Sequence, residues 1–144
     1  MKHVMIDTNV ALDLLANRKP FATEAAQLFN LAAQGHVRLY LSSLSYTTLF
    51  YVLKKDNRPE AVLSSLRNLE QLCETIDVGS EVIKAALRIR NGDLEDAVQL
   101  QAAIHHKKVT AIVTRDAKGF RRSNIPAFNY REALAMVQAN SNHR

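Results

Sequence analysis

Cysteine is almost absent from this 144-residue chain, with Cys73 standing alone. No intrachain disulfide can form, and no zinc site built on thiolates is possible. Glycine and proline are scarce too, at four and three residues, too few for an all-β chain full of tight turns. No apolar run approaches the ~20 residues of a membrane span. A carboxylate, Asp7, falls where a secretory leader would be apolar. These gaps point to a soluble protein of the reducing cytoplasm. Gly-rich phosphate loops, nucleophile elbows and Cys–His pairs are missing as well.

Hydrophobic residues make up 47% of the chain, which excludes a disordered reading. The length suits one domain, expected over residues 1–139 with a polar tail at 140–144. A net charge of +5 favours an anionic partner, nucleic acid first among them. A surplus serving only solubility accounts for the same charge.

The pattern alternates strands with helices. Lys2–Ile6 reads as a strand and Val10–Leu15 as a short helix. Phe21, Ala25, Leu28, Phe29 and Ala32 follow at helical spacing until Gly35. Val37–Leu41 is a second strand, and Ser42-Ser43-Leu44-Ser45 can cap a helix running to about Lys55. Pro59 starts another helix, Thr75–Val78 is a third strand, and Gly79-Ser80 opens the next helix. The helix Leu94–His106 is nearly encircled by apolar residues and should be buried. Val109–Val113 and Ile125–Phe128 complete the strands, and Tyr130–Gln138 is the last helix. Such alternation predicts an α/β domain, three layers deep, with a central parallel sheet of about five strands. The hairpin from Ser43 to Leu72 is expected to project from it.

Against that frame the acids stand out. Asp7 ends the first strand, at the sheet edge where α/β proteins bind ligands. Asp116 follows the fourth strand in Ile112-Val113-Thr114-Arg115-Asp116. Asp93 and Asp96 open the buried helix, three residues apart and on one face. Capping accounts for Asp93 taken alone, and a turn accounts for Asp116. Convergence changes the reading, because carboxylates sharing a cleft repel unless a cation neutralises them. Oxygen ligands select a hard ion, Mg²⁺ or Mn²⁺. Such an ion can activate a water for in-line attack on a phosphodiester.

Four short pieces carry a family resemblance: Ile6-Asp7-Thr8-Asn9, the helix start at Ser43–Leu53, Asp93-Leu94-Glu95-Asp96-Ala97, and Ile112–Asp116 followed by Phe120. In this order the chain resembles a PIN domain from end to end, the fold of metal-dependent ribonucleases that includes VapC-type toxins of toxin–antitoxin pairs. The resemblance implies that Asp7, Asp96 and Asp116 bind Mg²⁺ or Mn²⁺ and that Asp93 is an additional acid of the catalytic group. It implies that Thr8 and Asn9 orient Asp7 and that Thr114 lines the same cleft. It further implies an RNA substrate, an antitoxin protein as partner and a homodimer. The chain departs from the pattern at one place. Many PIN nucleases carry a glutamate on the helix after strand two, and here Thr48 falls at about that position, with no acid between Val37 and Lys55. Either Asp93 compensates, Asp13 reaches the cleft from the first helix, or the activity is weak. A subgroup with Arg-x-Pro-Phe after the first helix resembles this chain in that loss.

Two alternatives follow. A PIN module of impaired catalysis would bind RNA or a protein. A haloacid-dehalogenase-type phosphatase would use Asp7 as nucleophile, but needs an acid where Asn9 stands. His105-His106 cannot chelate one ion from adjacent helix positions. Arg121-Arg122, Arg18 and Lys19 are candidates for gripping RNA or simply solvated. Tyr46, Phe50 and Tyr51 can stack on bases, or serve as core or a dimer face.

Overall fold

In the structure, a computed structural model, residues 1–89, 92–120 and 124–141 are described. Arg121 and Arg122 lie outside the described residues, as do 142–144. The strands are β1 (Lys2–Ile6), β2 (Val37–Ser42), β3 (Cys73–Ile76), β4 (Ala111–Val113) and β5 (Ala127–Phe128). The helices are α1 (Thr8–Leu15), α2 (Ala22–Ala33), α3 (Ser43–Leu53), α4 (Pro59–Leu72), α5 (Ser80–Leu87), α6 (Leu94–His105) and α7 (Tyr130–Ser141). A 3-10 turn occupies Ala117–Phe120.

All strand pairs are parallel, in the order β3-β2-β1-β4-β5. Side chains alternate across the pleat. Val4, Ile6, Leu39, Leu41 and Val113 therefore face one core, shared with α1, α2, α3, α4 and α7. Met5, Tyr40 and Ile112 face the other, shared with α5 and α6. A sheet covered on both sides reads as nearly continuous apolar strands, as β1 and β4 do. The result is the three-layer α/β/α arrangement predicted above.

Three expectations need correction. Helices α3 and α4 do not project: Leu49, Leu53, Val62, Leu66 and Leu69 are buried in the larger core. Helix α6 is not encircled, since Leu94 and Ile104 are 55% and 44% exposed. Strand β3 begins two residues earlier than its apolar pattern suggested, because Cys73 pairs with Leu39 and Ile76 with Ser42. Burial there pushes the Cys73 thiol up to about 12, so it is an inert core residue. At the opposite end of the sheet from Asp7, the turn between α2 and β2 is made by Gly35 at φ +81°, with open space around its α-carbon. A left-handed residue there lets the chain pass from helix to strand in three residues.

A candidate metal centre at the switch point of the sheet

The chain leaves β1 for β2 and β3 on one side, and reaches β4 and β5 on the other. The carboxyl ends of β1 and β4 thus flank the one crevice where the winding reverses, the usual ligand position in open α/β sheets. Asp7 stands at that point. Its amide N–H continues the ladder by donating to the Val113 carbonyl at 2.9 Å, and its side chain caps α1.

Asp7 is buried, 6% exposed, and its carboxylate is held from three directions. Thr114 Oγ1 donates to Oδ2 at 2.8 Å. Gln99 Nε2 donates to Oδ1 at 3.1 Å, and the Asn9 amide N–H reaches the same oxygen at 3.4 Å. Every donor is neutral. The carboxylate is oriented without its charge being cancelled.

Helix α6 brings the other acids. Asp93 is its N-cap and accepts the Asp96 amide N–H at 3.1 Å. Asp96 is half-buried, and its carboxyl is pushed up to about 6. Desolvation is the largest cause, followed by the charges of Asp7, Asp93, Glu95 and Asp116. The acids from three elements thus converge electrostatically on Asp96. Asp116 is exposed, and its amide N–H donates to Thr114 Oγ1 at 3.1 Å. Thr114 therefore ties the segment after β4 to Asp7.

Thr8 and Asn9 contact Asp7 differently from a direct side-chain clamp. Asn9 uses its backbone, and its side chain is exposed. Thr8 acts at one remove: its N–H donates to Gln99 Oε1 at 3.1 Å, and its hydroxyl meets Ser45 Oγ at 2.7 Å. Gln99, 2% exposed, is the residue that sequence reasoning missed. It lies one turn after Asp96 on the buried stripe of α6, where a polar side chain among Ala97, Val98, Ala102 and Ala103 was the available signal.

The search for a substitute for the missing glutamate now has a structural answer at two positions. Thr48 spends its hydroxyl on the Leu44 carbonyl of its own helix, at 3.4 Å. Asp13 does not reach the cleft: Tyr130 Oη donates to its Oδ2 at 2.8 Å, and Arg115 Nε lies 3.2 Å from that oxygen. Asp93 remains, adding negative charge beside Asp96.

Carboxylate oxygens are the donors that a hard divalent ion prefers. Among the described residues the contacts of Asp96 and Asp116 run through their backbone N–H groups. As the side chains stand, no three acids, histidines or cysteines among the described residues are placed to hold a metal ion together. Mg²⁺ is commonly bound through one or two carboxylates with several waters retained, so an open site suits it. His105 is taken up by the Gln101 carbonyl at 2.7 Å, and the His106 ring packs 4.9 Å from that of Tyr40.

A family model described as the PIN domain matches residues 3–118. The chain belongs to the PIN domain family. Over 134 residues it is 26% identical to ribonuclease VapC1 of Aquifex aeolicus (strain VF5), an alignment spanning 90% of this chain and 91% of that protein. The fold is shared with solved structures. DNA-bound VapBC from Salmonella typhimurium gives a TM-score of 0.69 at 21% identity, over 90% of this chain and 99% of the other. VapBC2 from Rickettsia felis, bound to a promoter DNA fragment, gives 0.67 at 19%, over 88% and 98%. PAE2754 from Pyrobaculum aerophilum gives 0.61 at 14%, over 96% and 90%. As a PIN domain, the chain places its acids at the carboxyl edge of the sheet through β1, α6 and the segment after β4.

Proposed function

We propose that this PIN domain is a Mg²⁺- or Mn²⁺-dependent endoribonuclease and the toxin of a toxin–antitoxin pair. One observation carries the reading: Asp7, Asp93, Glu95 and Asp116 all act on the half-buried Asp96, whose carboxyl is raised to about 6. A cluster of acids oriented by neutral donors is a site short of positive charge. The Aquifex relative is named a ribonuclease, and the Salmonella and Rickettsia chains are VapBC assemblies, which supports the substrate class and an antitoxin partner.

In this reading Asp7, Asp96 and Asp116 hold the ion, and Asp93 supplies further negative charge. When bound, the ion acidifies water and offsets charge developing on the phosphodiester. The protein's own part is positional. Gln99 and Thr114 fix both oxygens of Asp7, and Thr114 also fixes the Asp116 backbone. The net charge of +5 favours the RNA backbone. A homodimer and a cytoplasmic setting belong to the same proposal; no helix among the described residues is long and apolar enough to cross a membrane.

The test is cleavage of an end-labelled RNA across a Mn²⁺ titration, with Asp7→Asn and Asp96→Asn alongside. Cleavage by the parent that disappears in both variants supports the enzyme. RNA binding without cleavage at any metal concentration supports the second reading, an impaired PIN module, which the side chain of Thr48 favours because it offers the site no charge. The phosphatase alternative is set aside, since the chain is a PIN domain and the exposed Asn9 is no acid.

A further inference from the structure

Asp13 has no exposure to solvent, yet lies on α1 only six positions after Asp7. Parts of the chain far apart in sequence close on it. Tyr130 Oη and Arg115 Nε both contact Oδ2, at 2.8 and 3.2 Å. The Arg115 guanidinium lies over the Phe21 ring, 4.3 Å from its centroid, and that ring stacks in turn on Tyr130. Oδ1 is buried and finds no hydrogen-bond partner among the described residues.

As a source of stability this arrangement is poor. Burying a carboxylate costs several kcal/mol, and the attraction of its partner offsets that only when the remaining lone pairs are satisfied. Here one oxygen is bare. What the arrangement does provide is a fixed place for Arg115. The residues flanking Arg115 are Thr114, which donates to Asp7, and Asp116, whose amide N–H donates to Thr114. The segment is thus tied to the acid cleft through Thr114 and to the body of the domain through Arg115.

We propose that Arg115 is a positioning residue, held by Asp13, Tyr130 and Phe21 so that Thr114 keeps Asp7 oriented and Asp116 stays with Asp96. The inference rests on the nuclease reading for its consequence in catalysis, but not for its structural content. Arg115 touches no reacting atom; it sets the place of residues that do.

The experiment replaces the polar knot by apolar side chains of similar size, Asp13→Leu/Arg115→Met/Tyr130→Phe, an exchange that is often neutral or stabilising for a buried ion pair. RNA cleavage with Mn²⁺ and amide hydrogen exchange at Thr114 and Asp116 are read together. The expected result is an unchanged or raised melting temperature, KM within about twofold, and kcat lower by about 10²-fold. Exchange at Asp116 is expected to be roughly tenfold faster, with the rest of the sheet unaffected. Unchanged kcat in a cleaving parent overturns the proposal, whether or not exchange is faster. Should the triple variant fail to fold, Arg115→Lys keeps the charge but loses the Nε–H and the planar stacking face. Full kcat with unchanged Asp116 exchange in that variant overturns the proposal equally. If the parent cleaves no RNA at all, the nuclease reading fails and exchange at Asp116 alone decides the positioning role.

Discussion

Asp7 and Asp13 are carried by the same helix, and both are buried, yet their surroundings are opposite in kind. Asp7 receives hydrogen bonds from an amide side chain, a hydroxyl and a backbone N–H, none of them charged. Asp13 meets a guanidinium and a phenol. Neutral donors fix a carboxylate and leave its charge to act at a distance, which is why Asp7 heads the list of charges raising Asp96. The charge of Asp13 acts instead within its own pocket, where it raises the Tyr130 hydroxyl while Arg115 lowers it. Two buried acids thus differ in whether their partners are neutral or charged.

The comparison can be broken at either end. The largest effect is expected for Asp7→Asn, which keeps the shape and removes the charge. Cleavage of labelled RNA should fall by about 10³-fold, several kcal/mol of transition-state stabilisation, with an unchanged circular dichroism spectrum. Residual activity near the parent level would remove Asp7 from the site.

Asp13→Ala should do the reverse, acting on the fold first. It leaves the buried Tyr130 hydroxyl without its acceptor and the part-exposed Arg115 without its anchor, at a cost of about 1–3 kcal/mol, readable as a lower urea midpoint. A midpoint equal to the parent's would show that solvent reaches the pair more than its burial indicates.

Gln99→Leu sharpens the contrast between neutral and charged partners. The Thr8 N–H loses its acceptor and Oδ1 of Asp7 keeps only the longer contact from the Asn9 N–H, costing about 1–3 kcal/mol of stability. Mn²⁺ affinity by calorimetry should drop by about 10-fold or more, as for other groups that orient a ligand. Parental Mn²⁺ affinity in this variant would show that Thr114 and the Asn9 N–H suffice to orient Asp7.

The smallest effect on stability is expected for Asp96→Asn, and its sign is informative. The folded-state carboxyl of Asp96 titrates above its ordinary value of 3.8, at about 6, so the native state holds a proton that the unfolded state has released. Stability is then greatest below the unfolded value and falls as pH rises through the folded one. At pH 7–8 the substitution should therefore stabilise the ion-free protein by about 1 kcal/mol, after allowance for solvent screening, and the gain should vanish near pH 4. Melting curves at the two pH values measure it. A loss of stability at pH 8 would mean that the acids do not repel one another.

Much of this was legible in the chain. Strand β1 and the start of α4 at Pro59 lie where periodicity and proline chemistry put them. Asp7 was readable because a carboxylate ends an apolar strand, while Thr114 was named only through the family resemblance. Other features had no local signature. Gln99 and Asp7 are 92 positions apart, and Tyr130 and Asp13 are 117 apart, so only the winding of the sheet brings them together. The start of β3 was misplaced because register with β2, and not its own pattern, decides which residues pair. Helix α6 looked encircled because Leu94 and Ile104 are apolar by type, and exposure is a property of neighbours.

All-parallel strands also give the domain two unequal rims. The rim with the acids is crowded with side chains bonded across elements, so any insertion there disturbs something. At the other rim, the Gly35 turn has a backbone already in the left-handed region and no heavy atom within 4 Å of where a side chain would start. A glycine-flanked tag or fluorescent label spliced in after Gly35 should be tolerated, giving a handle for capture or single-molecule work that leaves the acid-bearing edge untouched.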